Sequence, residues 1–205
     1  LGVFMMCRKL IPDMELHVST QANNTNWATV NAWKDLGASR VVLAREMSLT
    51  EIREIRTKCD VDLEMFMHGA MCISYSGRCL LSNYFTGRDA NRGSCAQSCR
   101  WKYALQEETR PGQFYPVEED AHGTYFMNSK DLCLLPHLPA LVTAGVDSLK
   151  IEGRMKRPEY VAVVVAAYRQ ALDTALRGEA LVLEPLQRDL EQIFNRDFTT
   201  AYLEG

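Results

Sequence analysis

No apolar run in the 205-residue sequence approaches the roughly 18 residues that a membrane-spanning helix needs, and Leu1–Met6 is too short for the apolar core of a secretory signal. Positive charge is not in excess either: 23 Lys and Arg stand against 26 Asp and Glu, a net charge of −3. A diffuse basic field that holds nucleic acid non-specifically is thereby excluded, and any nucleic-acid contact has to come from a local patch. Seven cysteines are too few, and odd in number, for a disulfide scaffold; reduced thiols in a cytoplasmic protein are expected. Familiar hydrolase templates are missing as well: there is no Gly-x-Ser-x-Gly elbow, no His-Glu-x-x-His helix and no phosphate-binding P-loop. What remains is an ordinary globular composition, 47% hydrophobic and 24% charged, with apolar material for one sizeable core. The chain begins with Leu and reads like a fold entered part-way, so a segment of a longer protein is expected.

Residues 16–67 alternate short β-rich runs with amphipathic stretches. Leu16–Ser19 reads as a strand end, 24–36 as a helix stopped by Gly37, Ser39–Ala44 as a strand, Leu49–Lys58 as a helix and Val61–Met67 as a third strand. Ser48 and Glu51 form a capping box, and Leu49, Ile52 and Ile55 share one helical face. This βαβαβ pattern implies a parallel sheet with crossover helices, as an open doubly wound sheet or a (β/α)8 barrel. The pattern stops between His68 and Tyr103, where Gly69, Gly77, Gly87 and Gly93 lie among clustered cysteines. Residues 113–128 read as an inserted β-hairpin around the polar Glu118–Gly123 turn. The α/β repeat resumes with a helix over 138–144, a strand over 146–151 and a long helix from Pro158 to Leu176. Residues 1–178 are read as one α/β domain, and 179–205, with an amphipathic helix over 183–194, as the start of a C-terminal region.

The thiol spacing is Cys72-x6-Cys79-x15-Cys95-x3-Cys99, with Cys133 further on. It is not the paired CxxC of a zinc ribbon, and no histidine falls within the close spacings. Soft thiolates in excess suit an iron–sulfur cluster or zinc, with buried thiols as the plain alternative. Cys7 and Cys59 read as structural. The same segment is locally basic, with Arg78, Arg88, Arg92, Arg100 and Lys102 against Asp89 alone between Ser76 and Tyr103. Tyr84, Phe85, Trp101 and Tyr103 add stacking surfaces for bases.

A second constellation, Lys150-Ile-Glu-Gly-Arg-Met-Lys156, follows a strand, where chemistry sits in α/β folds. Lys150 and Arg154 suit a substrate carboxylate, and Glu152 proton transfer; an ion-paired rim explains them equally well. His68, at the end of the Val61–Met67 strand, reads as an acid/base group or a hydrogen-bonded rim histidine. Ser19–Asn23 is rim-like in the same way.

The runs Glu64–Cys79 and Gly87–Arg100, flanked by Ser19–Asn23, Asn128–Cys133, Lys150–Lys156 and Asn195–Thr200, closely resemble the signature of the collagenase-like peptidase family U32. The resemblance covers nearly the whole chain, with one departure: Asp197 stands where the family usually has Gly. It implies a TIM-like (β/α) barrel domain lacking its first strands. The peptidase name is historical. Better understood members resemble oxygen-independent hydroxylation proteins with a 4Fe–4S cluster, acting on the tRNA wobble uridine with prephenate as co-substrate, on a ribosomal RNA cytidine, or on ubiquinone precursors; this chain is most similar to the tRNA branch. Carried over, the cluster ligands fall on Cys72, Cys79, Cys95 and Cys133, with Cys99 as a fifth thiol. On that reading the arginines of the basic segment, Arg88 and Arg92 among them, are expected on the RNA backbone, with an anticodon loop as partner and a paralogous subunit as a further one. Position alone assigns Lys150 and Arg154 to prephenate and Glu152 or His68 to proton transfer. A literal peptidase and a non-catalytic RNA-binding subunit are the other expectations.

Overall fold

Local sequence signals account for most of the element boundaries. In the computed structural model, which describes residues 1–116 and 129–205, the chain opens with α1 (Gly2–Leu10), a helix the sequence reading did not foresee. It meets the next helix through the edge-on pair Phe4 and Trp33, 5.4 Å between ring centroids. There follow β1 (His17–Val18), α2 (Trp27–Asp35), β2 (Arg40–Val42), α3 (Leu49–Lys58) and β3 (Asp62–Ala70). Asn26 caps α2 by accepting the Thr29 N–H, and the Ser48/Glu51 capping box forms as expected at α3. Next come α4 (Leu81–Thr86), β4 (Ala104–Leu105), β5 (Tyr115–Pro116), β6 (Asp131–Cys133), α5 (Leu138–Thr143), β7 (Ser148–Ile151), α6 (Pro158–Leu176), α7 (Leu183–Gln192) and β8 (Phe198–Thr199). The hairpin expected over 113–128 lies largely outside the described residues. Its opening residues, Tyr115–Pro116, pair antiparallel with Ala104–Leu105.

β1, β2, β3 and β7 run parallel, with β3 between β2 and β7. β6 joins the C-terminal end of β3 antiparallel, and β8 pairs parallel to β6. The result is a mixed α/β fold with a predominantly parallel sheet, open among the described strands. Val41, Leu43, Ile52, Leu63, Leu138 and Val164 are fully buried in its core, each worth about 1.5–3 kcal/mol of apolar burial. Leu186, Leu190 and Leu203 enter that same core, so it continues without a break past residue 178. Among the described residues no helix is long and apolar enough to cross a membrane.

Two backbone features position the site. The register of β3 against β7 shifts between Phe66 and His68, a bulge that reverses the strand's alternation. Beyond it, Gly69 has φ +102°, and a side chain there would sit 2.4 Å from the Glu152 carbonyl oxygen, so only glycine lets β3 and the turn after β7 approach so closely. Near the chain's end Asp197 has φ +55°, the left-handed conformation that glycine takes most easily, at the position where the resembled family usually carries it.

Candidate metal centre and its surroundings

Each of the four parallel strands sends its C-terminal loop to one place. Gln21 follows β1, Arg45 follows β2, Cys72 follows β3, and Glu152 and Arg154 follow β7; together they line a cavity of about 80 Å3. This is where α/β folds keep their chemistry, because strand ends supply side chains from several directions at once. Cys79, Cys95 and Cys99 complete its wall, so four thiols face one small space.

The irregular segment is held there by buried polar contacts instead of an apolar stripe. Ser76, 1% exposed, receives a hydrogen bond from the Thr20 hydroxyl at 3.2 Å, and its own N–H donates to Glu46 Oε1 at 2.7 Å. Loops after β1 and β2 therefore clamp the turn that carries Cys79. Gly77 in that turn has φ +78°, and a Cβ there would lie 2.1 Å from the Gln21 carbonyl oxygen. Further along, the Ala96 N–H donates to Ser82 Oγ at 3.0 Å, and Tyr103 donates to the Ser98 carbonyl at 2.7 Å, which fixes the turns bearing Cys95 and Cys99.

Burial holds the Cys72 and Cys99 thiols above their ordinary value, and the neighbouring thiols push the same way; Arg45 beside Cys72 and Arg100 beside Cys99 oppose them. The chemistry of the donor set fits a four-iron cluster: four soft donors, three guanidinium groups (Arg45, Arg100, Arg154) to offset thiolate charge, and one carboxylate, Glu152. Among the described residues no three His, Cys, Asp or Glu side chains converge closely enough for a single metal ion. Four thiols lining one cavity would suit a group larger than a single ion.

Several expected site residues lie elsewhere. Cys133 does not join the other thiols. It is buried on β6, 3.9 Å from Tyr168 Oη, and borders a separate cavity of about 190 Å3; Cys99 stands in its place. His68 is not on the rim. β3 runs on to Ala70, and after the bulge the imidazole is enclosed by Tyr160, Tyr168 and Phe198, with ring centroids 5.5–6.0 Å away. Its Nδ1 lies 3.5 Å from Tyr168 Oη, and its buried Nε2 has no hydrogen-bond partner among the described residues. Lys150 is engaged by Glu64 at 2.8 Å, outside the thiol cavity. Burial raises the Glu64 carboxyl, but Lys150, Ser148 and Arg40 outweigh it and hold the group below its ordinary value. Arg88 and Arg92 are exposed on the loop outside the cavity, with Arg92 3.5 Å from Asp89. Glu152 and Arg154 do line the thiol cavity, and the Arg154 N–H donates to Glu152 Oε1 at 3.1 Å.

Two residues escaped the sequence reading. Arg45, whose guanidinium lies 3.7 Å from the Phe66 ring centroid, directly follows the second strand, and the strand-end rule applied there would have found it. Asp131 is fully buried between Arg100 (3.6 Å) and Lys156 (3.3 Å). Its place in the Asn128–Cys133 motif was visible, but the antiparallel strand that carries it inward was not.

The enclosure of His68 has a measurable consequence. Burial pushes its pKa down from 6.5 to about 4, against the pull of Asp131. Between those two values the unfolded chain binds a proton that the folded chain refuses, so stability falls as pH drops through this window, by up to about 3 kcal/mol when complete. Denaturant titrations from pH 7 to pH 4 should show His68→Gln losing less stability than the wild type; equal losses would contradict this placement.

A predominantly parallel α/β sheet whose strand ends gather four thiols defines a protein with a cysteine-lined centre at the mouth of the fold. The model of peptidase family U32 matches residues 1–205, and the chain belongs to that family. It is 48% identical over 202 residues to tRNA hydroxylation protein P1 of Bacillus subtilis (strain 168), covering 97% of this chain and 47% of the relative. Identity to tRNA hydroxylation protein P of Escherichia coli (strain K12) is 40% over 242 residues, 98% of this chain and 53% of that protein. The 23S rRNA 5-hydroxycytidine C2501 synthase of Escherichia coli (strain K12) is 42% identical over 171 residues, 82% of this chain and 25% of that protein. The chain thus spans about half the length of the first two relatives. No solved structure matches it.

Proposed function

We propose that this chain is the cluster-bearing part of an RNA hydroxylation protein, and that its substrate is the wobble uridine of tRNA, hydroxylated at carbon 5 without molecular oxygen. The observation that carries this reading is the meeting of four thiols and three arginines at the ends of four parallel strands. The names of the relatives supply the substrate class, and the two tRNA hydroxylation proteins are matched along almost all of this chain. Cys72, Cys79, Cys95 and Cys99 would hold a 4Fe–4S cluster, which when bound supplies one-electron chemistry. Arg45, Arg100 and Arg154 offset thiolate charge, Arg154 stands at the mouth for the carboxylate of an acidic co-substrate such as prephenate, and Glu152 beside it can hold or release a proton. The parallel run β1–β2–β3–β7 suits one side of a (β/α) barrel that the full-length protein completes, working in the cytoplasm.

The literal peptidase reading lacks support in this geometry. Burial raises the Cys72 and Cys99 thiols above their ordinary value, away from an activated nucleophile, and His68 is not among the residues that line their cavity.

Nucleoside analysis by mass spectrometry tests the function. Full-length protein expressed in bacteria lacking their own tRNA hydroxylation proteins should restore 5-hydroxyuridine-derived nucleosides to bulk tRNA, and Glu152→Gln with Arg154→Ala should reduce them at least tenfold. Unmodified tRNA after wild-type expression would sink the proposal.

A further inference from the structure

A second, larger cavity of about 690 Å3 adjoins the thiol cavity, and Arg100 and Gln97 line both. Its walls come from the turn around Cys99, from the start of α6 and from the segment after α7. Four cations face it, Arg100, Lys156, Arg157 and Arg196, against the single carboxylate of Glu159. Arg100 and Lys156 are partly neutralised by Asp131. Arg157, by contrast, is exposed at the N-cap of α6, a 19-residue helix whose first turn has no side-chain cap. The positive end of that helix and the exposed guanidinium of Arg157 border the same space, a combination suited to phosphate.

The cavity also has aromatic surface of the wrong kind for a folding core. Phe194 is 63% and Trp101 46% exposed, and Lys156 and Arg196 lie 4.7 and 5.0 Å from the Phe194 ring centroid. Tyr160 and Arg100 both line the cavity, and their hydroxyl and Nε are buried without hydrogen-bond partners among the described residues. Buried polar atoms of this kind are rare unless a ligand or water satisfies them.

Outside, the aromatic surface continues: Trp101 neighbours Phe85 at 6.0 Å, and Phe85 neighbours Tyr84 at 5.1 Å and Tyr103 at 5.8 Å. A small acid would use only the cationic pocket. A chain of bases and phosphates uses both the pocket and the run of rings beyond it.

We propose, resting on the RNA reading above, that this cavity seats one unstacked nucleotide of the RNA substrate, its phosphate held by Arg157, Arg196 and the start of α6 and its base stacked on Phe194 or Trp101. Arg100 then forms the partition across which the base faces the thiol centre.

Fluorescence anisotropy of a labelled, uridine-containing single-stranded RNA with the full-length protein tests this seat. Phe194→Ala should raise Kd about 5- to 100-fold. Arg157→Ala with Arg196→Ala should weaken binding and flatten its salt dependence. Arg169→Ala with Arg188→Ala, an equal charge change on exposed faces of α6 and α7, should alter Kd less than twofold. Because Phe194 and Arg157 are exposed, these changes spare the core, and unchanged iron content and melting temperature verify it. Cavity variants that bind like the wild type, or that weaken no more than the control pair, would overturn the seat while leaving hydroxylation by the wild type intact. A wild type that binds no RNA would overturn both.

Discussion

Full-length protein purified without oxygen should carry roughly four iron and four sulfide per chain; Cys72→Ala and Cys99→Ala should each fall below about one, while Cys133→Ala keeps its iron. The contrast between the last two is the sharp part. Cys133 and Cys99 are both buried, and the family resemblance assigns the fourth ligand to Cys133. The fold separates them: Cys99 shares a cavity with Cys72, Cys79 and Cys95, whereas Cys133 sits beside Tyr168 and borders a different cavity. Thiols that line one cavity can close on one cluster, and Cys133 is not among those that line it. Iron retained in Cys99→Ala and lost in Cys133→Ala would reverse the assignment.

Removal of Asp131 should be the most damaging single change to the fold. The carboxylate is wholly buried, the Arg100 and Lys156 side chains are only 5% and 8% exposed, and both cations lean on it. Burial already pushes the Lys156 amine below its ordinary value, more strongly than Asp131 holds it up. Deleting the shared anion leaves two buried cations facing each other, a loss of about 3–5 kcal/mol by the usual cost of breaking a buried pair. Urea denaturation of Asp131→Ala should show it. Adding Lys156→Met to Asp131→Asn should cost less than the two changes summed, since the double variant removes one of the stranded charges. A loss under about 1 kcal/mol for Asp131→Ala would mean that water reaches the pair.

The parallel strands and their helices were legible because their signals are local: the Ser48/Glu51 box, Gly37 after α2 and Pro158 at the head of α6 all act within one turn, although the start of α2 was read three residues early, ahead of its Asn26 cap. The strand-end location of the centre was legible too, since Cys72, Glu152 and Arg154 directly follow β-rich runs. What sequence reading missed depends on non-local pairing. β6 and β8 are three and two residues long, too short to show alternation, and Asp131 acquires its role only when β6 docks antiparallel on β3. The fates of Lys150 and Cys133 were hidden for the same reason, because their partners Glu64 and Tyr168 come from distant segments. His68 was misplaced by one inserted residue, which periodicity cannot reveal.

That inserted residue divides the labour along β3. Before it, Phe66 lies under Arg45 and Lys150; after it, His68 turns to Tyr160 and Tyr168. One strand thus serves two surroundings: ahead of the inserted residue it seats the arginine that lines the thiol cavity, and beyond it the imidazole is given over to packing among tyrosines. A single-residue deletion here would exchange the two.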